Sequence, residues 1–219
     1  MAEHGIEVSY SNPNLAQVVS RKDGVVERLV QGLGYLLRQK GVEVVSGEAE
    51  FVSGGIVQIG EILYSPSRIL VATGTVPADL PNLMCDGHQI MNSDQILEMT
   101  ELPQSLVIVG GGVIGCEFAT VFASFGVEVT IVELADSILP TEDDDLSKAL
   151  MREFRKNRVK VLTAAQVQGV VAQTDGSVTL QVQQKGKVQE ITADRVLVSV
   201  GRRSVVPKGF PGEVGGRGY

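Results

Sequence analysis

The sequence predicts an α/β fold: a parallel sheet with crossover helices and an antiparallel β-meander, preceded by a second segment of one helix and a smaller meander. Three features of the 219-residue chain carry that reading. From Leu106 to Leu162 short apolar runs alternate with helix-length amphipathic stretches, the order of parallel βαβ units. From Gln166 to Thr192 the pattern becomes residue-by-residue alternation interrupted by "TDG" and "KG" turns. From Leu15 to Lys40 apolar residues recur with a period of about 3.6, and short β-rich runs follow.

Taken in order, Val18, Val19, Val25, Val26, Leu29, Val30, Leu33, Leu36 and Leu37 form the apolar stripe of the first helix. Gly32 and Gly34 weaken it by about 1 kcal/mol each relative to alanine, too little to break it. After Gly41 the runs "VEVV", "AEFV", "IVQI" and "EILY" predict a small antiparallel meander, and "RILVATG" reads as a buried strand ending at Gly74. Residues 78–101, with Pro81 and Gly87, read as a linker carrying one short helix near Asp94–Met99. Strands follow at Leu106–Val109, Glu128–Val132 and Val159–Leu162, with helices at Val113–Phe125 and Glu142–Asn157 between them. Gln166–Thr174, Ser177–Gln184 and Lys187–Thr192 form the second meander, before a strand at Arg195–Val200. The tail "PKGFPGEVGGRGY" is too rich in Gly and Pro to predict an element.

Composition excludes several classes. A net charge of −7 and basic residues scattered among acidic and apolar ones leave no cationic stripe for a nucleic acid. The N-terminus has neither a basic nor an apolar leader region, and no run of about eighteen apolar residues occurs, so a soluble, cytoplasmic protein without membrane partners is expected. Cys85 and Cys116 are too far apart for a CxxC pair, and no metal-ligand spacing is present. The acids of "TEDDDL", Thr141–Leu146, read as a threonine cap followed by charges that complement a helix dipole. Cys116, near a helix start, reads as a small packing residue rather than an activated thiol.

The candidate site is the turn Gly110–Gly115, in which Gly111, Val113 and Ile114 fill a GxGxxG frame between a predicted strand and a predicted helix. The first glycine permits a tight turn, the second lets backbone approach a pyrophosphate, and the third lets helix and strand pack closely. The first helical N–H groups have no intrahelical partner and lie at the positive end of the dipole, so they can hold a phosphate without a lysine. Glu133 follows at the end of the next strand, where a carboxylate accepts hydrogen bonds from an adenine ribose. With no basic side chain before Lys148 to receive a 2′-phosphate, a Rossmann-like NAD domain is predicted in preference to an NADP one.

"LVIVGGGVIGCEFATVFASFGVEVTIVELADSILP", with "RILVATGTVP" upstream and "ADRVLVSVGRR" downstream, resembles the flavin-dependent pyridine nucleotide–disulfide oxidoreductases, most closely their dihydrolipoamide dehydrogenase branch. The resemblance implies a partial FAD-binding domain over 1–77, the linker, an NAD-binding domain over 102–203 and an irregular tail over 204–219. It implies that Val167 and Gly201 lie near the adenine and nicotinamide ends of NAD. Glu117 would face the nicotinamide and flavin, and Ala49, Thr73 and Gly74 would run along FAD.

The chain departs from the family pattern in having no second GxGxxG near its start and no Cys-x4-Cys pair. His4 and His88 lack a glutamate at the expected spacing and are expected in exposed segments, and Ser204 and Val205 replace the usual proline and asparagine after "GRR". The chain is therefore expected to be an internal segment, inactive alone, of a homodimeric enzyme passing electrons between dihydrolipoamide and NAD through FAD. A stand-alone NAD-binding module, or a relative such as mercuric reductase or an NADH oxidase, is the alternative.

Overall fold

The computed structural model describes residues 13–53 and 55–212. In chain order the elements are α1 (Leu15–Gln39), β1 (Ala49–Ser53), β2 (Ile56–Ile59), β3 (Ile62–Tyr64), β4 (Thr75–Pro77), β5 (Ile90–Asn92), α2 (Ser93–Ile96), β6 (Ser105–Val109), α3 (Val113–Ser124), β7 (Glu128–Val132), α4 (Asp144–Lys156), β8 (Lys160–Leu162), β9 (Ala165–Gln173), β10 (Val178–Gln184), β11 (Lys187–Ala193), β12 (Arg195–Val198) and β13 (Arg202–Ser204). They fall into two compact units. The first takes the described residues up to Lys22 together with Asp79–Ser199, and the second takes Asp23–Ala78 and the described residues from Val200.

The first unit is built on a parallel five-stranded sheet in the order β5-β12-β6-β7-β8. Helices α3 and α4 are its crossovers, and the antiparallel sheet β11-β10-β9 fills the connection from β8 to β12. Both faces of the parallel sheet are covered, which is why its strands read as continuous apolar runs. Leu106, Ile108, Val129, Ile131 and Leu197 belong to the core that includes Ala119, Phe122 and Phe154 of the helices. Their strand neighbours Val107, Val109, Val132, Val196 and Val198 belong to a second core with Val167, Val178, Leu180 and Val182 of the meander. Successive side chains of a strand point to opposite faces, so one strand such as β6 serves both cores.

Residues 78–101, expected as a linker with one short helix, carry that helix as α2 but also contribute β5 to this unit, with Leu83, Ile90, Met91 and Ile96 buried. The run is short, and its strand is only three residues long, so the Pro and Gly around it dominated the reading. Asn92 caps α2 in a reciprocal capping box with Gln95. Just before β5, Asp86 Oδ1 accepts the N–H groups of His88, Gln89 and Ile90 at 2.8, 2.8 and 2.9 Å, and Oδ2 accepts Gln173 Nε2 at 2.8 Å. The helix α4 starts two residues later than its acids suggested: Asp143, not Thr141, is its N-cap, and it makes no side-chain capping bond.

In the second unit β1, β2 and β3 form the expected antiparallel meander, while "VEVV" and "RILVATG" form no strand. A central strand needs a ladder partner for its N–H and C=O groups. No described strand pairs with 68–74, and Leu70 is 91% exposed. Instead Gly74 leads into β4, which pairs antiparallel with β13, an element the Gly/Pro-rich context hid. The second half of α1 presents Val26, Leu29, Val30, Leu33 and Leu36 to solvent, so the stripe that predicted the helix is not core there. Phe51 meets Phe210 edge to face at 5.3 Å, and Lys208 pairs with Glu50 at 3.1 Å.

Burial alone would raise the Asp86 carboxyl pKa, but the hydrogen bonds from His88, Ile90, Gln173 and Gln89 outweigh it and hold the group below its ordinary range. Its stabilising contribution is thus complete above the unfolded carboxyl value near ~4 and is lost as pH falls through the folded one. Urea unfolding of wild type and Asp86→Asn should differ most at pH 6–7, and the difference should shrink as pH is lowered through about 4 and below.

Candidate functional site

The order β5-β12-β6-β7-β8 reverses direction between β6 and β12, since the chain moves from β6 outward to β8 and returns to the other side of β6. Crevices at such reversals, beyond the carboxyl ends of the strands, are where open α/β sheets bind ligands. The Gly110–Gly115 turn lies there, joining β6 to α3.

Each glycine has a distinct reason to be one. Gly110 has φ +106°, which L side chains rarely adopt. A Cβ on Gly115 would overlap the Gly110 carbonyl oxygen and crowd Ser199 Oγ at 2.9 Å, so only glycine lets α3 start this close to β6. A Cβ on Gly111 would meet Ile138 and Glu133 at 3.0 and 3.1 Å. Around Gly112, the N-cap of α3, a Cβ would meet nothing within 4 Å. That open space is what a ligand approaching the backbone requires.

The polar groups of the turn divide sharply. The N–H of Gly110 donates to Val132 O at 2.9 Å, and the carbonyl of Gly111 accepts Leu139 N–H at 2.8 Å and the Cys116 thiol at 3.3 Å. The N–H of Gly111 donates to Glu133 Oε2 at 2.5 Å, and Ala135 N–H donates to Glu133 Oε1 at 2.7 Å. By contrast, among the described residues no acceptor takes the N–H groups of Gly112, Val113, Ile114 or Gly115. Gly115 is buried, so its unpaired donor is costly unless something occupies the turn.

The structure therefore brings Gly110–Gly115 and Glu133 together. Glu117 is exposed one turn into α3. Val167 lies in the meander: its side chain is buried in the meander core, and its carbonyl accepts Asn82 Nδ2 at 2.8 Å. Ala49, Thr73, Gly74 and Gly201 belong to the second unit. There Thr73 Oγ1 donates to Val205 O at 2.5 Å, Val205 N–H donates to Gly74 O at 3.0 Å, and both segments line an open cleft of about 360 Å³ together with Phe210. Ala49 begins β1 opposite Ile59. His88 is exposed, and His4 lies outside the described residues.

Sequence reading missed Ser199, whose N–H donates to Val109 O at 2.8 Å and whose Oγ lies 3.2 Å from Val109 O and 3.1 Å from Gly110 O. The available signal was a small polar residue directly after the apolar run Val196–Val198. Cys116 is buried beneath the turn, and its thiol pKa is pushed up to about 12, first by burial and then by the carboxylates of Glu133 and Glu117. Desolvation thus overrides whatever the helix N-terminus offers a thiolate.

A parallel sheet with a glycine turn at its switch point and an acid at the next strand end defines a dinucleotide-binding class of protein. Residues 2–209 match the family model described as pyridine nucleotide-disulphide oxidoreductase, and the chain belongs to that family. It is 34% identical over 216 residues to a dihydrolipoyl dehydrogenase of Bacillus subtilis, covering 92% of this chain and 46% of that one. It is 39% identical over 194 residues to the dihydrolipoyl dehydrogenase of Acholeplasma laidlawii, covering 86% and 56%. Among solved structures, LpdA from Mycobacterium tuberculosis superposes with a TM-score of 0.77 at 26% identity, covering 89% of this chain and 44% of that one. The HOCl-induced flavoprotein disulfide reductase RclA from Escherichia coli gives 0.74 at 28%, with coverages of 89% and 44%. The chain spans about half the length of the relatives it matches.

Two outcomes follow from this geometry. Gly115→Ala should cost about 1–3 kcal/mol in urea unfolding, because the obstructing atom is backbone and cannot swing aside. For Cys116, iodoacetamide labelling of the folded protein at pH 8 should be slower than in urea by about three orders of magnitude, following the thiolate fraction. The unfolded thiol ionises from about pH 8.5 while the folded one keeps its proton, so above that pH the thiol should subtract stability at about 1.4 kcal/mol per pH unit, a slope that Cys116→Ala abolishes.

Proposed function

We propose that the first unit binds NAD(H), its diphosphate on the N–H groups of Gly112, Val113, Ile114 and Gly115 and its adenine ribose on Glu133. The observation that carries this reading is the row of four donors without acceptors among the described residues, beside a glycine whose Cβ position is open. An anion there gains both the orphan hydrogen bonds and the helix dipole, worth roughly 0.3–2 kcal/mol on its own. Both Glu133 oxygens already accept a backbone N–H, so ribose hydroxyls would use the remaining lone pairs. A 2′-phosphate would meet the same carboxylate as like charge, at a cost of up to about 4 kcal/mol at 4 Å and an effective dielectric of 20.

We infer further that the whole protein is an FAD-containing disulfide oxidoreductase acting between dihydrolipoamide and NAD. When bound, the flavin and nicotinamide carry the two electrons, and the chain's own groups hold and orient them. Family membership and the dihydrolipoyl dehydrogenase relatives support this reading. The cleft at Thr73–Gly74 and Val205–Pro207 supports the flavin part: it is lined by backbone, small and apolar groups suited to a flat ring system. Glu117, exposed on the same helix as the turn, is assigned to the nicotinamide end, and Gly201 and Val167 to backbone contacts with the same coenzyme. A cytoplasmic, homodimeric enzyme fits this reading; among the described residues no helix is long and apolar enough to cross a membrane.

Calorimetric titration tests the coenzyme assignment. The purified chain should bind NADH at least tenfold more tightly than NADPH, Glu133→Gln should narrow that gap, and dihydrolipoamide should not be turned over by this chain alone. Equal wild-type affinity for the two coenzymes would sink the assignment.

A further inference from the structure

We propose that Ser199 is a positioning residue for dinucleotide binding: with Glu133 it locks the single peptide unit between Gly110 and Gly111, and that lock aims the four free amides of the turn. The inference rests on the NAD reading and adds a residue and a mechanism to it.

The carbonyl of Gly110 and the N–H of Gly111 belong to one planar trans peptide, so they point in opposite directions and turn together. Ser199 Oγ lies 3.1 Å from the carbonyl end, while Glu133 Oε2 takes the N–H end at 2.5 Å. Among the described residues Ser199 supplies the donor to the Gly110 carbonyl, its one hydroxyl proton shared with Val109 O at 3.2 Å. Water cannot readily replace it, because the Gly115 backbone is pressed against that oxygen so closely that even a methyl group would overlap it.

The peptide needs such a lock because glycine on both sides leaves its orientation cheap to change. Flanked by Gly110 at φ +106° and by Gly111, it can flip with little steric resistance. A flipped peptide would aim its carbonyl oxygen at the Glu133 carboxylate and its N–H at Ser199. It would also displace the start of α3, where the donors of Gly112, Val113, Ile114 and Gly115 emerge. Ser199 is well placed to resist this, since its own N–H is held by Val109 O at 2.8 Å at the end of the β12–β6 ladder. The hydroxyl thus ties the turn to the parallel sheet at the strand-order reversal. Its role is orientation, with no contact to the reacting atoms required.

The test is Ser199→Ala, read by amide hydrogen exchange at Gly111 and by NADH titration. Loss of one neutral hydrogen bond should raise Gly111 exchange by roughly three- to tenfold and weaken NADH by a similar factor, leaving exchange at Ile108 and Leu197 in the sheet unchanged. Ser199→Cys, with a weaker donor of similar shape, should fall between the two and serves if the alanine variant folds poorly. Unchanged Gly111 exchange overturns the lock. Faster Gly111 exchange with unchanged NADH affinity overturns its role in positioning. Wild-type protein that fails to bind NADH would refute the coenzyme reading itself, and with it the positioning role, while the exchange measurement would still judge the lock separately.

Discussion

Strand and helix meet backbone to backbone at Gly110 and Gly115, and the rest of the first unit is organised by that contact. With no room for a Cβ at Gly115, α3 begins directly over the end of β6, which forces Gly110 into a positive φ and sends the chain through a turn with no side chains in the way. The parallel sheet can hold such a contact because it is clamped on both faces, by α3 and α4 on one and by the meander on the other. Rigid packing of this kind keeps small displacements costly, so the amides at the start of α3 are presented in a fixed array before any ligand arrives.

That array is defined as much by what is bonded as by what is free. The polar groups of Gly110 and Gly111 have partners within the protein, whereas among the described residues none is found for the N–H groups of Gly112 to Gly115. The boundary between the two sets falls at the N-cap of α3. Internal bonds end where the open space over Gly112 begins, the arrangement expected if an external anion completes the accounting.

Much of this was legible in the chain because local pattern and tertiary environment agree in the first unit. Past their first residues, "SLVIV", "EVTIV" and "RVLV" are apolar apart from Thr130, and those positions are buried on both faces. "RILVATG" has the same composition and the opposite fate, since burial needs neighbours that no property of the run itself can report. β5 and β13, three residues each, were hidden for a related reason: short strands owe their existence to the ladder beside them rather than to their own propensity. In the site, glycine spacing and an acid at a strand end are sequence signals, so Gly110–Gly115 and Glu133 could be named in advance. Ser199 could not, because its partners are carbonyls on the neighbouring strand 89 and 90 residues away.

Glu133 shows why coenzyme choice and fold are difficult to separate here. A carboxylate at the end of β7 with only 9% exposure must be compensated, and two backbone N–H groups provide that compensation. Those same bonds draw the β7–α4 connection and the glycine turn together, so the charge that would repel a 2′-phosphate also shapes the turn that receives the diphosphate. An amide in its place would offer one acceptor instead of two and bring an N–H₂ toward a backbone donor. Selecting for a different coenzyme at this position would therefore require a new partner for Gly111 or Ala135, not merely the removal of a negative charge.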